Sequence, residues 1–157
     1  MVDDGYVSGW RAIKPDAHTG SRLVAKLINC IMHDGKRSVA MGVVAAMLKR
    51  VAHETGSEYG LGPFCDAIEK LKPQVEVRSK RVGGATYQVP SAVSPKRRQT
   101  LAIRWLVEAA RARSNRSMGD RLSDEILLAL RGEGAAYTKR ENVHKMADAN
   151  RAFAHFG

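Results

Sequence analysis

From Pro73 to Arg113 the chain reads PQVEVRSKRVGGATYQVPSAVSPKRRQTLAIRWLVEAARAR, and within this stretch the period of the apolar positions changes. Val75, Val77, Tyr87 and Val89 alternate with polar and cationic residues about the pair Gly83-Gly84, the pattern of two strands joined by a tight turn. Beyond Pro95 the spacing lengthens. Leu101, Ala102, Trp105, Leu106 and Ala109 recur at helical intervals, Pro95 suits the first position of a helix, and Ser94 suits its cap. Pro90 and Pro95 are read as ending the hairpin. A lone two-stranded hairpin is marginal in water, and this one lacks a full apolar face, so it is expected to project as an arm ordered by a partner.

The residues on either side read as helices. Ser21 caps a pattern of Leu23, Val24, Leu27, Ile28, Ile31 and Met32 that stops at Gly35. Val39, Val43, Met47 and Val51 repeat every four residues and end before Gly56, predicting a second helix joined to the first through Asp34-Gly35-Lys36. Pro63 opens a third, with Phe64, Ile68 and Leu71, which Pro73 closes. After the long fourth helix, Ser117-x-x-Asp120 and Thr138-x-x-Glu141 resemble capping boxes for a fifth helix (Met118, Leu122, Ile126, Leu130) and a sixth (Val143, Met146, Ala147). The expected architecture is mainly α: a single domain over residues 1–157 with six helices and a protruding two-stranded antiparallel β-hairpin at 73–90. Residues 1–20 form an N-terminal extension and 150–157 an aromatic, basic tail.

Charge points to the partner. Of 26 Lys and Arg against 16 Asp and Glu, ten cations fall between Pro73 and Arg116, where the only carboxylates are Glu76 and Glu108. A field so one-sided repels itself unless a polyanion lies against it, which favours a nucleic-acid binder. Arg78, Lys80 and Arg81 lie on the arm, where Gly83 and Gly84 let backbone approach phosphates, Tyr87 offers a stacking face, and Thr86 and Gln88 offer hydrogen bonds. Lys96, Arg97 and Arg98 open the fourth helix, whose N-terminus itself favours anions, and Arg97, Arg104 and Arg111 share a stripe along it. Arg113 and Arg116 follow, and Lys26, Lys36 and Arg37 extend the field around the first helix and its turn. The competing readings are structural: charged strand edges that block pairing, solvated helix faces and, for Met118 beside Arg116, an ordinary core position.

Other classes find little support. Cys30 and Cys65 sit in apolar helical patterns without C-x-x-C spacing, which suggests neither a zinc site nor a disulfide and fits a reducing compartment. The five histidines show no H-x-x-x-H spacing, Cys30 and His33 lack an orienting third group, and no nucleotide-binding glycine loop is present. No catalytic residue, metal or cofactor is expected. No apolar run reaches the roughly 20 residues of a membrane span, and Asp3, Asp4 and Asp16 are unlike a secretory or transit segment.

RVGGATYQVP at 81–90 followed by PKRRQTLAIRWLVEAARAR at 95–113 resembles the bacterial and organellar form of ribosomal protein seven of the small subunit. DGKRSVA at 34–40 and KRENVHKMADANRAFAHF at 139–156 resemble it too, and the likeness runs in order over roughly residues 14 to 156. The resemblance implies a non-enzymatic, primary binder of small-subunit ribosomal RNA that docks on the 3′ major domain and nucleates assembly of the head. It implies RNA contacts from Lys26, Lys36, Arg37, Arg78, Lys80, Arg81, Lys96, Arg97, Arg98, Arg104, Arg111, Arg113 and Arg116. It also implies an arm facing the exit-site transfer RNA, through Gly83, Gly84, Thr86, Tyr87 and Gln88. The tail residues Arg151, Phe153 and His155 would face ribosomal protein eleven near the messenger exit path, with protein nine a further neighbour. Family members usually begin with a basic arm, whereas this chain starts MVDDGYVSGW, with only Arg11 and Lys14 basic before residue 15; many bacterial members also continue beyond the point matching Phe156. The compartments implied are bacterial cytoplasm, plastid or mitochondrion. The rival readings are an architectural DNA-binding protein, for which the arm tip lacks an apolar wedge, and a repressor bound to its own messenger.

Overall fold

The Oγ of Ser21 accepts the Val24 N–H at 3.1 Å, so α1 (Arg22–Ile31) begins on the cap the sequence names. The computed structural model describes residues 5–7 and 13–157; Asp3, Asp4 and Arg11 lie outside the described residues. Asp34 and Gly35 take left-handed φ values of 51° and 70°, turning the chain into α2 (Arg37–Thr55). The buried face of α2 is Ala40, Val44, Met47, Leu48 and Val51. Val39 is 61% exposed and Val43 only half-buried, which corrects the four-residue reading. Steps of four overshoot a 3.6-residue turn by about 40° each, so a row buried at Met47 and Val51 drifts to the surface at Val39.

α3 (Leu61–Leu71) starts two residues before Pro63, behind Gly60 at φ 67°. A Cβ on Gly60 would lie 2.3 Å from the carbonyl oxygen of Leu48, so α3 leaves in direct contact with the backbone of α2. β1 (Val75–Val82) and β2 (Ala85–Ala92) pair antiparallel from Val75↔Ala92 to Val82↔Ala85. Gly83 and Gly84, at φ 57° and 84°, make the mirror-image turn that matches strand twist. Pro90 does not end the hairpin; it pairs with Val77 inside β2, which a sheet of two edge strands tolerates.

α4 (Pro95–Ala112) buries Leu101, Ala102, Trp105, Leu106 and Ala109 as expected, although Ser94 at its N-cap position makes no side-chain cap bond. α5 (Met118–Arg131) has the expected capping box: Ser117 Oγ accepts the Asp120 N–H at 3.3 Å. The second box is a correction. α6 (Ala135–Ala149) follows Gly134 at its N-cap position, and Thr138 is inside it, donating its hydroxyl to the Gly134 carbonyl at 2.9 Å. Arg151–Phe156 follows as a 3-10 turn.

One buried cluster, including Leu27, Met47, Phe64, Ile68, Leu106 and Ile126, joins α1 to α5 and takes in Ala136 from α6. The hairpin has more support than its pattern suggested. Val89 and Glu76 are buried, α6 packs on both strands, and the 3-10 turn packs on β2. The distal part, around Arg81, Gly83, Gly84 and Thr86, is exposed, as are the outward-facing side chains of Arg78, Lys80 and Gln88. Among the described residues no helix is long and apolar enough to cross a membrane, no metal-ligand cluster occurs, and Cys30 and Cys65 are free thiols.

Two left-handed glycines separate backbone strain from collision. Gly56, at φ 66° with nothing within 4 Å of the position a Cβ would take, should cost about 1 kcal/mol when changed to Ala. Gly60→Ala adds the clash with Leu48 and should cost roughly 3 kcal/mol or more in urea unfolding. Equal losses for the two variants would contradict the tight α2–α3 approach.

Candidate nucleic-acid interface

α4 meets the C-terminal end of α1 near Cys30. Burial pushes the Cys30 thiol up, against the opposing charges of Lys26, Arg104 and Arg111. Arg111 Nη2 also donates to the carbonyls of Cys30 and Ile31, at 3.4 and 3.3 Å, so it meets the free C-terminal acceptors of α1. Arg104 is exposed and has no protein partner among the described residues. At the α1–α2 turn, Arg37 Nη1 donates to Asn29 Oδ1 at 2.6 Å. Lys36 and Arg111 line a cleft of about 330 Å³ with Met32, Val39, Met118 and Arg121.

A second group gathers where the arm meets α4. Glu76 is buried on β1, and its two oxygens divide between neighbours: Oε1 accepts from Arg78 Nε at 2.7 Å and Oε2 from Arg97 Nε at 3.4 Å. Arg98 Nε donates to the Val93 carbonyl at 2.9 Å, which holds the link between β2 and the first turn of α4. Lys96 is exposed beside them. Lys80 donates to the Phe156 carbonyl, and Arg81 stands exposed near the tip.

Several residues have structural partners that sequence reasoning did not supply. Arg113 Nε donates to Glu125 Oε1 at 2.8 Å, and Glu125 is fully buried. The other oxygen of Glu125 accepts the Ala136 N–H at 3.4 Å and stands in for the cap that Gly134 lacks. The signal was a carboxylate in the apolar register of α5, between Leu122 and Ile126. Arg116 lies 3.8 Å from Asp124, which Arg50 holds at 2.7 Å while also reaching Asp120. Tyr87 does not present a free face. Its ring lies against Phe153 and Phe156, with centroids 5.2 and 4.9 Å away. His155 packs at a tilt against Phe156 and contacts the Ala152 carbonyl, Arg151 is exposed, and Gln88 donates to Ser79 at 2.9 Å. At the tip, Arg81 and Thr86 beside Gly83 and Gly84 are exposed, while Arg78 and Gln88 are each part-engaged with the arm itself.

The carboxylates of this region are thus mostly committed to cations, and the surplus charge is held on rigid helices and a pinned hairpin. That geometry suits a polyanion of fixed shape. The family model described as ribosomal protein S7p/S5e matches residues 5–151. The chain belongs to this family. It is 52% identical over 150 residues to the small ribosomal subunit protein uS7 of Aeromonas hydrophila, covering 96% of each chain. The uS7 proteins of Campylobacter curvus and Nautilia profundicola are 49% and 50% identical over 146 residues, covering 93% of this chain and 94% of theirs. Proteins of this family are structural components of ribosomes and not enzymes.

Two stability effects follow from these contacts. Arg113→Met strands the buried Glu125 carboxylate and should cost about 3 kcal/mol or more in chemical unfolding. Glu125→Gln, which leaves a partly exposed Arg113 free to hydrate, should cost less; the reverse order would show that the pair does not anchor the junction. The Ser117 hydroxyl, aided by Arg50, holds the Asp120 carboxyl below its ordinary 3.8, against a smaller opposing effect of desolvation. Because the folded pKa is depressed, this contribution is present above 3.8 and is lost as pH falls through the lower folded value. Ser117→Ala should move the Asp120 titration, followed by carboxyl NMR, up toward 3.8.

Proposed function

We propose that the cationic face built by α1, α4 and the arm binds small-subunit ribosomal RNA in the 3′ major domain and nucleates assembly of the head. The chain is a small-subunit ribosomal protein, and its relatives come from bacteria, which fits work in a bacterial cytoplasm. The observation that carries the finer reading is Arg111 of α4 seated on the last carbonyls of α1, which puts the cations of both helices, Lys26, Arg104 and Arg111, on elements locked together. With Lys36, Arg37, Arg97 and Arg98 they replace counterions along packed strands, and the helical core keeps their spacing fixed, so one RNA fold is favoured over others. Lys96, Arg78, Lys80 and Arg116 extend the surface. Arg113 acts indirectly, by holding α4 to α5.

In this reading the arm tip, with Arg81, Gly83, Gly84 and Thr86, reaches the exit-site transfer RNA and messenger, while Tyr87 braces the arm from within. The tail, with Arg151, Phe153 and His155, faces ribosomal protein eleven, and protein nine lies nearby. Arginines committed to protein acceptors are poor probes of RNA binding, because reversing Arg97 would also unpair Glu76. Arg104 and Arg81 are cleaner choices.

The test is binding of the full chain to a 3′-major-domain RNA junction and to duplex DNA of equal length across a salt series. The junction should remain favoured at high salt by ten-fold or more, about 1.4 kcal/mol. Arg104→Glu should weaken junction binding and flatten its salt dependence while unfolding stays unchanged. Equal affinities for both ligands, fading together with salt, would leave only a generic basic surface and overturn the proposal.

A further inference from the structure

Between α4, α6 and the base of the arm lies a notch of about 190 Å³ lined by Glu76, Val77, Leu101, Trp105, Val143 and Met146. Its floor is Leu101 and Trp105 at i,i+4 on α4, both buried with only an edge reaching the notch, and its wall is Val143 and Met146 at i,i+3 on α6. Val77 of β1 is half-buried beside them, and Met146 is 50% exposed, one of the few large apolar side chains left open. Glu76 lines the notch, yet both its oxygens accept from guanidinium groups, and the side chains of Arg78 and Arg97 are 66% and 44% exposed. Two further carboxylates on these helices are matched as well: Glu108 with Lys139 at 2.6 Å, and Glu141 with Arg140.

The notch is smaller than the roughly 300–1,000 Å³ of a drug-sized site, and it is too short for a helix that docks through anchors over two turns. An apolar slot with a sulfur and the edge of an indole in its walls, and with two part-exposed guanidinium groups bonded to the acid that lines it, suits a flat ring attached to a phosphate. We propose that it receives one unstacked base of the bound RNA, with the adjoining phosphate on Arg97 and Arg78. This rests on the RNA-binding reading above and adds to it a contact that discriminates single-stranded from paired nucleotides, because a paired base cannot leave its stack to enter.

The experiment uses the full chain carrying Trp10→Phe, which leaves Trp105 as the single tryptophan. The probes are octa-adenylate and an abasic ribose-phosphate octamer of equal charge. Octa-adenylate should quench Trp105 fluorescence and bind at least five-fold more tightly than the abasic chain. Met146→Ser, and separately the nearly isosteric Val143→Thr, should erase that difference without moving the thermal midpoint. Equal affinity for both octamers in the parent chain overturns the base site and leaves the cationic surface intact. Loss of affinity for both probes in equal measure on mutation overturns it too, as does no change for either, the result expected if a neighbouring protein's side chain fills the notch. Failure of both octamers to bind at low salt would remove the RNA-binding reading along with it.

Discussion

A carboxylate with no solvent exposure sits where three helices meet. Glu125 lies on α5, its Oε1 takes the guanidinium of Arg113 at the end of α4, and its Oε2 takes the N–H of Ala136 in the first turn of α6. A charge stripped of water costs several kcal/mol unless it is paired and hydrogen-bonded, so both partners are held where they are. Gly134 belongs to the same arrangement: a Cβ there would stand 3.1 Å from Glu125 Oε2. Once α6 is set, the rest of the outer structure follows, since α6 packs on both strands of the hairpin and leads into the 3-10 turn that covers Tyr87.

Glu76 repeats this logic at the other end of α4. It is buried on the first strand and binds one arginine from its own strand and one from the helix. The two acids therefore fix both ends of α4, Glu125 by taking up Arg113 and Glu76 by anchoring one edge of Arg97. What they gain is position. A polyanion of defined shape is selected by charges at fixed spacing, and flexible lysines on an unpinned hairpin would bind without selecting.

The helices and the hairpin turn were legible because each depends on local rules. Caps such as Ser21 and Ser117, the Gly83-Gly84 pair and Pro95 act within a few residues of themselves. The start of α6 was misread because its cap comes from Glu125, eleven positions before Ala136, and the local Thr138-x-x-Glu141 pattern offered a false substitute. The exposed end of α2 was misread because a four-residue period was followed past its drift. Tyr87 was read as a free stacking face because its partners, Phe153 and Phe156, are distant in sequence. The cationic residues were all visible as cations, but which of them face an acid is a tertiary fact, and Arg113 and Arg97 look alike in sequence.

Counting donors separates those two. Arg113 turns both Nε and Nη2 onto Glu125 and is consumed by one buried acceptor. Arg97 and Arg98 each spend Nε on a protein oxygen, Glu76 Oε2 and the Val93 carbonyl, and their Nη groups have no protein acceptor among the described residues. Arg111 spends Nη2 on the end of α1 and keeps the rest of its fork. A guanidinium has five N–H donors in a rigid plane, so one edge can be anchored while the other is held out at a set angle. Lysine offers no such division. An RNA interface of the kind proposed would draw its rigidity and its charge from the same side chains, and its strongest positions would be arginines that are half engaged with the protein, not those that are wholly free or wholly buried.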